Sequence, residues 1–258
     1  MDPLIRFSSL VRHGLRFRSR LELIKKQVAP PDFAWYPYDS FVNLFFLERL
    51  RRMAGLTFTD MAGTGPLLDL GTADGALAFL FESLGFRVHA CDNSGTNMNR
   101  MEGVRLMAAA LDSHVEIEDI DLDNGWDPGR EYGLALFLGT LYHLKNPFAV
   151  LERLAKRARY CFVSTRVACW SPDHTVELGR VPAAYLLAPD ECNNDTTNYW
   201  VFSPPGLIRL AERSGWSVLA SLRTGASESD PTSAAGDERQ FLLLEASVGW
   251  QAKAPAPL

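Results

Sequence analysis

The sequence predicts an α/β fold in which helices cover both faces of a mostly parallel sheet. Three observations lead to this prediction. Short apolar runs alternate with helical stretches between residues 66 and 165, and such alternation is typical of a doubly wound sheet. A glycine-rich turn follows the first apolar run, and two strands without an intervening helix close the chain. We therefore expect a seven-stranded sheet that ends in an antiparallel hairpin and is preceded by a helical extension.

The composition is that of a folded protein. Of the 258 residues, 47% are hydrophobic and 22% are charged, which is close to ordinary globular usage. No apolar run approaches the roughly 18 residues of a membrane span, and the arginine-rich N-terminus is unlike a signal peptide. We therefore expect a cytoplasmic protein without a membrane span. Four cysteines without a CxxC pair predict free thiols and neither a metal site nor a disulfide.

Charge is unevenly distributed along the chain. Residues 1–30 contain seven Lys or Arg and two acidic residues, a net charge of +5, so the remainder carries −10 of the total of −5. Leu4, Phe7, Val11, Leu15 and Leu21 have rough helical spacing in this segment. The segment is either a solvated helix that covers the domain or a surface for an acidic partner, a membrane or RNA.

The first elements follow from caps and breakers. Pro30 and Pro31 end the basic segment, and Asp39 or Ser40 can cap a helix over residues 41–53. The run 66–70 indicates a buried parallel strand, and residues 76–84 the helix that follows it.

The alternation continues to residue 165. We predict strands over 86–91, 115–118, 134–138 and 160–165, and helices over 95–111 and 147–157.

The pattern is interrupted between residues 166 and 203 by a polar segment that contains aromatic residues and three prolines. Long irregular segments in a compact domain are usually functional or mobile. A helix over 204–214 and strands over 216–222 and 240–247 follow. The expected organisation is an N-terminal basic helical extension over 1–60, a domain over 61–250 with a substrate-side insertion at 166–203, and a disordered tail over 251–258.

The turn after the first strand is the strongest candidate for a ligand site. In open parallel sheets, ligands bind beyond the carboxyl ends of the strands where the chain order reverses. Gly71 and Gly75 permit positive φ angles and close backbone approach, and the following helix offers free N–H groups. Asp92, at the end of the second strand, can accept both hydroxyls of a ribose. Alternatively, Asp69 caps the turn and Asp92 is an ordinary strand-end acid.

Three segments resemble the ordered motifs of class I S-adenosylmethionine-dependent methyltransferases, which have a Rossmann-like fold. They are LDLGTADG at 68–75, HACD at 89–92 and ALFLGTLYH at 135–143. The likeness covers about residues 60–248. LGTLYHLKNP at 138–147 and NYWVFSP at 198–204 resemble, more narrowly, the branch that contains the tRNA wobble-uridine carboxymethyltransferases.

The resemblance implies S-adenosylmethionine as the cofactor and assigns residues to its parts. The methionine part would be lined by Asp69, Gly71, Thr72, Ala73 and Gly75. The ribose would be held by Asp92 and Asn93, the adenine bracketed by Asp121 and Leu122, and the pocket floor closed by Leu138 and Gly139. The chain departs from the family pattern at Ala73, where a glycine is usual.

The catalytic candidates follow the fourth strand. Tyr142 and His143 are expected to face the methyl group, and His143 can accept a proton from a hydroxyl or an amine near neutral pH. An equally open interpretation is that His143 shapes its loop through backbone hydrogen bonds. The expected acceptor residues are Tyr36, Tyr38, Arg166, Tyr199 and Trp200, with core packing as the alternative for the aromatic ones.

Three functions are compatible with these residues. The first is methyl transfer to an oxygen or nitrogen of a small-molecule or saccharide-type acceptor. The second is methyl or carboxymethyl transfer to a tRNA wobble uridine, against which the −10 charge of the domain counts. The third is a non-catalytic methyltransferase-like binding protein, which Ala73 alone supports.

Overall fold

A computed structural model describes residues 9–63, 65–232 and 238–247. Within these residues, one sheet contains nine strands and is surrounded by helices. The strands are β1 Leu67–Leu70, β2 Val88–Asp92, β3 Glu116–Asp119, β4 Tyr132–Leu138, β5 Ala158–Val167, β6 Ala184–Leu186, β7 Trp200–Phe202, β8 Trp216–Thr224 and β9 Glu238–Ala246. The α-helices are α1 Ser9–Val28, α2 Asn43–Met53, α3 Phe58–Ala62, α4 Ala76–Ser83, α5 Glu102–Leu111, α6 Pro147–Ala155 and α7 Pro204–Arg213.

The strand order confirms the predicted fold class. Strands β3, β2, β1, β4 and β5 are neighbours in this order and run parallel. Strand β9 then pairs antiparallel with β5, and β8 pairs antiparallel with β9. The chain order reverses between β1 and β4, so the carboxyl ends of these two strands form the switch point where such sheets bind ligands.

Helices cover both faces of the sheet, which explains why its strands are nearly continuous apolar runs. Leu67, Leu134 and Leu136 contribute to a core shared with α1 to α5. Their neighbours along the strands, such as Leu68 and Phe137, contribute to a second core shared with α6 and α7. Side chains on one strand therefore alternate between the two layers.

Helix α1 packs against the domain through one face. Leu10, Val11, Phe17 and Leu21 are buried in the same core as β1 and α4. The sequence also placed Leu15 on this face, but Leu15 is 36% exposed because a residue four positions after Val11 is already rotated away from the line formed by Leu10, Phe17 and Leu21. Leu4 and Phe7 lie outside the described residues. Residues 9–28 thus form a helix that covers the domain, which was the first of the two interpretations of this segment.

Two helices differ from the sequence prediction. Helix α5 begins at Glu102 instead of residue 95, because the Asn97 side chain accepts the N–H groups of Asn99 and Met101 and holds the preceding residues in a turn. Helix α3 was not predicted. It begins with a capping box between Thr57 and Asp60. The helix is only five residues long, so the sequence shows no helical period after the capping box.

The segment 166–203 contains two short strands that the sequence did not predict. Strands β6 and β7 form a hairpin, and Phe202 of β7 pairs with Val167, the last residue of β5. Strand β9 occupies the other edge of β5 at Val167, so β7 lies on the side of β4, beyond its carboxyl end. Strands of three residues between prolines give no readable alternation, which explains the omission.

Two smaller predictions can also be compared with the structure. All four cysteines are buried and free, as expected. Within the described ranges, no helix has both the length and the apolar character needed to cross a membrane. The predicted tail over 251–258 lies outside the described residues.

Candidate active site

The loop after β1 adopts three left-handed conformations in five residues. Gly71, Ala73 and Gly75 have φ angles of 75°, 54° and 81°. A Cβ atom at Gly71 would overlap the Thr140 side chain, which packs against the loop from the carboxyl end of β4. Glycine is therefore required at position 71 by both conformation and space.

Ala73 keeps the loop in shape although it replaces a glycine. Its backbone is left-handed, a conformation that costs a non-glycine residue roughly 1 kcal/mol. Its N–H group donates a 2.8 Å hydrogen bond to Oδ2 of Asp92. This bond holds the strained residue in place and links the β1 loop directly to the end of β2.

Asp92 is the last residue of β2 and lies beside the β1 loop at the carboxyl edge. Its Oδ1 atom accepts the N–H of Asn93 at 2.8 Å, so both carboxylate oxygens have backbone donors. Burial raises the pKa of Asp92 above its ordinary value, and the two backbone hydrogen bonds oppose that shift. The Asn93 side chain accepts the N–H of Gly95 and thereby closes its own turn.

Asp69 and Thr72 form a buried pair beneath the loop. The Thr72 hydroxyl donates to Asp69 Oδ2 at 2.7 Å, and both residues are at most 6% exposed. Burial raises the pKa of Asp69 to about 6, against the lowering effect of the Thr72 hydrogen bond.

Asp74, which the sequence prediction did not include, joins the loop to the N-terminal segment. Its carboxylate accepts hydrogen bonds from Lys25 Nζ at 3.0 Å, from the backbone N–H of Tyr36 at 2.9 Å and from Asn99 Nδ2 at 2.8 Å. Asp74 is 4% exposed. Helix α1 and the segment after it are thus fastened to the loop of β1 through one carboxylate.

The side chains of Tyr36 and Tyr38 have different environments. The Tyr36 hydroxyl accepts the N–H of Met98, so this side chain reaches the loop after β2, and burial raises its pKa to about 12. Tyr38 is 79% exposed, which excludes core packing as its role. Both line a cavity of about 500 Å³ between α1 and the segment 33–41, which extends to Ala76 at the start of α4.

Asp121 and Leu122, the residues that the sequence assigned to the adenine, follow the end of β3. Leu122 is buried in the core shared with α6 and α7. The Asp121 carboxylate accepts hydrogen bonds from Asp123 N–H and Asn124 Nδ2. In register with Asp92 lies Asp119, which accepts the N–H of Ser94. Because the acidic loop repeats Asp at every second position, the sequence alone did not single out Asp119.

Beyond β4, Leu138 and Gly139 lead into a short 3-10 turn that presents Tyr142 and His143. The His143 Nδ1 atom lies 2.9 Å from the Thr197 hydroxyl and 3.2 Å from the Thr197 carbonyl oxygen. The same hydroxyl donates to Asp195 at 2.6 Å. His143, Thr197 and Asp195 therefore form a relay between the β4 loop and the insertion.

The relay fixes the tautomer of His143. A carbonyl oxygen only accepts, and the Thr197 hydroxyl already donates to Asp195, so Nδ1 carries the proton and Nε2 is the basic nitrogen. Burial lowers the pKa of His143, an effect that Arg239 reinforces and that Asp195 and Thr197 oppose. The imidazole is neutral near pH 7 and able to take up a proton.

Arg239, absent from the sequence prediction, is a cation beside this turn. Its guanidinium lies 5.9 Å from the centre of the Tyr142 ring, and its Nη2 atom lies close to Gly139. Arg166 is opposite Arg239 in the β5–β9 pairing but is only 6% exposed and contacts the Cys192 thiol. Arg166 is thus buried beneath the insertion, whereas Arg239 lies beside the catalytic candidates.

The insertion is held on the edge by its aromatic residues. The Tyr199 N–H donates to the Tyr142 carbonyl at 2.8 Å, and Trp200 Nε1 donates to the Lys145 carbonyl at 3.3 Å. Both side chains are partly buried. Trp200 thereby closes the insertion against the β4 loop, and Tyr199 lies next to Tyr142.

Residues 38–221 match the methyltransferase domain family. The chain belongs to this family. This methyltransferase matches no curated protein. The membership and the fold confirm the predicted S-adenosylmethionine-dependent methyltransferase, and they lend no support to the narrower resemblance to the tRNA-modifying branch.

Several solved structures share the fold of this methyltransferase at low sequence identity. The N-terminal domain of EvdMO1 with SAH bound is 17% identical with a TM-score of 0.53, covering 90% of this chain and 97% of that one. It was also determined in the presence of SAH and D-fucose, with a TM-score of 0.51. The glycopeptide N-methyltransferase MtfA, complexed with S-adenosylmethionine, is 16% identical with a TM-score of 0.51, covering 84% and 98%. An S-adenosylmethionine-dependent methyltransferase from Clostridium acetobutylicum is 10% identical with a TM-score of 0.53, covering 90% and 99%.

The residues at the edge of this methyltransferase fit its cofactor. S-adenosylmethionine supplies a methyl group activated by a positively charged sulfur. The carboxylates of Asp69, which is buried, and of Asp92, which is partly buried, lie on the same face of the sheet and offer a negative environment for a cation. The left-handed loop between Gly71 and Gly75 permits close approach of a ligand to the backbone.

Replacing Asp69 by asparagine tests whether this carboxylate is held for a cation at the expense of stability. An acid whose pKa rises on folding contributes stability below its unfolded pKa of about 4, and this stability is lost as the pH rises through the folded pKa of about 6. Asp69→Asn removes the titration. In urea unfolding without cofactor, we expect the stability of the variant relative to the parent to increase by about 1–2 kcal/mol between pH 5 and pH 8. Asp190→Asn, at an exposed acid, is the control; a flat difference for both variants would contradict the raised pKa.

Proposed function

We propose that this methyltransferase transfers the methyl group of S-adenosylmethionine to an oxygen or nitrogen of a small-molecule or saccharide-type acceptor. The observation that carries the proposal is the relay of His143, Thr197 and Asp195 beside the cofactor edge. Hydroxyl and amine acceptors must lose a proton as they are methylated, and the relay presents a basic nitrogen for that proton.

The reaction requires little else of the protein. The acceptor atom forms a bond to the methyl carbon while the bond from carbon to sulfur breaks, and the acceptor proton passes to Nε2 of His143. Because the leaving group is already activated, positioning and exclusion of water supply most of the rate acceleration. Thr197 stabilises the imidazolium that forms because it binds the other nitrogen, and the Asp195 carboxylate, which accepts the Thr197 hydroxyl, adds its negative charge.

The cofactor contacts proposed here follow the sequence with one change. The β1 loop from Asp69 to Gly75 would bind the methionine part, Asp92 and Asn93 the ribose, and Leu138 and Gly139 the floor of the pocket. For the adenine we propose Asp119, the residue in register with Asp92, in place of Asp121 and Leu122.

The acceptor class is supported by charge and shape. The Arg239 guanidinium lies 5.9 Å from the centre of the Tyr142 ring, and the backbone of Tyr199 is hydrogen-bonded to that of Tyr142. Aromatic and guanidinium groups together suit a sugar ring that carries hydroxyl or acidic substituents. The presence of D-fucose with EvdMO1 and the glycopeptide substrate named for MtfA agree with this class.

The tRNA alternative depends on the basic N-terminal segment. Arg12, Arg16 and Arg20 are exposed on α1, but Lys25 and Arg18 are engaged with Asp74 and Asp39. Because α1 belongs to the core, removal of residues 1–30 would disturb the fold. Substitution of the three exposed arginines by glutamine is the appropriate test of RNA binding.

The proposal is tested with the full chain, S-adenosylmethionine and four acceptor groups: glycosides with free hydroxyls, amino sugars, a glycopeptide with a free amine, and bulk tRNA. We expect the demethylated cofactor to accumulate, and the mass of a glycoside, amino sugar or glycopeptide to increase by one methylene. A methyl group on tRNA, or a carboxymethyl group when the carboxylated form of the cofactor is supplied instead, would establish the alternative if it is lost in the triple arginine variant. No cofactor binding, even with Ala73→Gly, would establish a non-catalytic protein.

A further inference from the structure

Three side chains of types that can bind a metal ion meet on one face of the sheet, opposite the face that carries Asp69 and Asp92. His89 and Cys91 are two residues apart on β2 and therefore point to the same side. Glu118 of β3 is the register partner of Cys91. His89 Nε2, Cys91 Sγ and a Glu118 carboxylate oxygen all lie within 4.8 Å of one another.

The separations match the edges of one coordination tetrahedron. His89 Nε2 lies 3.0 Å from Glu118 Oε2 and 3.3 Å from Cys91 Sγ, and the latter two atoms are 4.0 Å apart. Zinc bonds of about 2.0 Å to nitrogen and oxygen and about 2.3 Å to sulfur place ligand atoms roughly 3.3–3.6 Å apart around a tetrahedral ion. An ion can therefore sit among the three donors after shifts of a few tenths of an ångström.

A second layer of contacts orients the histidine. The His89 Nδ1 atom lies 2.6 Å from the Tyr132 hydroxyl, which in turn accepts a 3.0 Å hydrogen bond from Arg130 Nε. A metal-bound histidine usually donates its other N–H to such a partner, which fixes the ring orientation. The Tyr132 oxygen is available to accept that N–H, and this leaves Nε2 directed toward Cys91 and Glu118.

The site is accessible from solvent on one side only. His89 and Cys91 are 2% and 1% exposed, whereas the Glu118 side chain is 45% exposed on the edge strand β3. An ion can enter from the edge and keep water as its fourth ligand. Glu116 lies 3.9 Å from His89 Nε2 and Trp126 Nε1 donates to Glu118 at 3.4 Å, while Cys91 packs in the apolar core of this face.

We propose that His89, Cys91 and Glu118 bind one divalent zinc-like ion that joins β2 to β3. The nitrogen, thiolate and carboxylate donors favour zinc over magnesium or calcium. The ion is separate from methyl transfer, because these side chains lie on the face opposite Asp69 and Asp92. The sequence prediction of no metal site rested on the absence of CxxC, whereas here the donors come from an H-x-C pattern and a neighbouring strand.

Cobalt provides the direct test, because tetrahedral Co²⁺ absorbs in the visible range and thiolate ligation adds a charge-transfer band. We expect the metal-free full chain to bind one Co²⁺ with both features, and Zn²⁺ to displace it. Cys91→Ala should abolish the charge-transfer band and weaken Zn²⁺ binding by at least about tenfold, and Tyr132→Phe should weaken it by about 10–100-fold while the band remains.

Cys161→Ala is the matched control, since Cys161 is an equally buried thiol on the same face of the sheet; it should leave both the band and the affinity unchanged. If Cys91→Ala does not fold, Cys91→Ser, which keeps the size of the side chain but removes sulfur, replaces it. Absence of the charge-transfer band in the parent chain, or equal Zn²⁺ affinity in the parent and the Cys91 variant, would overturn the proposal and leave His89 as a histidine hydrogen-bonded between Tyr132 and Glu118.

Discussion

Replacement of His143 by glutamine is expected to reduce kcat by a factor of about 10²–10⁴, the usual contribution of a general base. Glutamine keeps a polar side chain of similar length, so the hydrogen bonds to Thr197 can be retained while the basic nitrogen is lost. The KM for the cofactor should not change, since we propose that His143 faces the acceptor and not the cofactor. Steady-state kinetics with an acceptor that the protein methylates give both kcat and the KM for the cofactor.

The control for His143 is His174→Gln, an exposed histidine in the insertion that pairs with Asp230. It should leave kcat within about threefold of the parent value. If His143→Gln behaves like this control, His143 shapes the loop through its bonds to Thr197 and the proton leaves by another route.

The pH profile separates a base from a structural histidine. The neutral imidazole is the active form, so the rate should rise with pH through the folded pKa of His143 and be level above it. Because burial lowers this pKa, the rise should lie below pH 6.5, the ordinary value for histidine. Asp195→Asn removes the carboxylate that raises the pKa, so the rise should move to lower pH. A histidine that only shapes the loop would produce neither effect.

The parts of the site that sequence could predict are local. The β1 loop follows from Gly71 and Gly75, and Asp92 follows from its place at the end of an apolar run. The strands are recognisable because both faces of the sheet are covered, which makes each strand continuously apolar. Local patterns thus predicted the fold class and brought together the loop and the carboxylate at which we propose that the cofactor binds.

The parts that sequence could not predict depend on contacts between distant residues. Lys25 and Asp74 are 49 positions apart, and Thr197 and His143 are 54 positions apart. Neither contact has a periodic signature, and β6 and β7 are too short to show one. For Leu122, position in the acidic loop suggested a contact with the adenine, and nothing in its local sequence indicated that it is buried in the core shared with α6 and α7.

Replacement of Asp92 is expected to weaken cofactor binding by about 1–3 kcal/mol, the usual worth of charge-assisted hydrogen bonds. Alanine removes the proposed ribose contacts and also leaves the N–H groups of Ala73 and Asn93 without their present acceptor. Part of the loss would therefore come from a relaxed β1 loop. Asparagine retains one oxygen for the loop and removes the charge, so Asp92→Asn should bind more tightly than Asp92→Ala but more weakly than the parent chain.

Calorimetry with the demethylated cofactor measures the affinities, and thermal unfolding of each variant without ligand measures the loop contribution. Asp121→Asn is the control, because its carboxylate is engaged with Asp123 and Asn124; its affinity should stay within about threefold of the parent value. Weaker binding by Asp121→Asn with unchanged binding by the Asp92 variants would mean that the nucleoside lies at β3, one strand further toward the edge of the sheet. If affinity falls only in the Asp92 variants, and falls further for alanine than for asparagine, the carboxylate both binds the ligand and holds the strained Ala73 peptide.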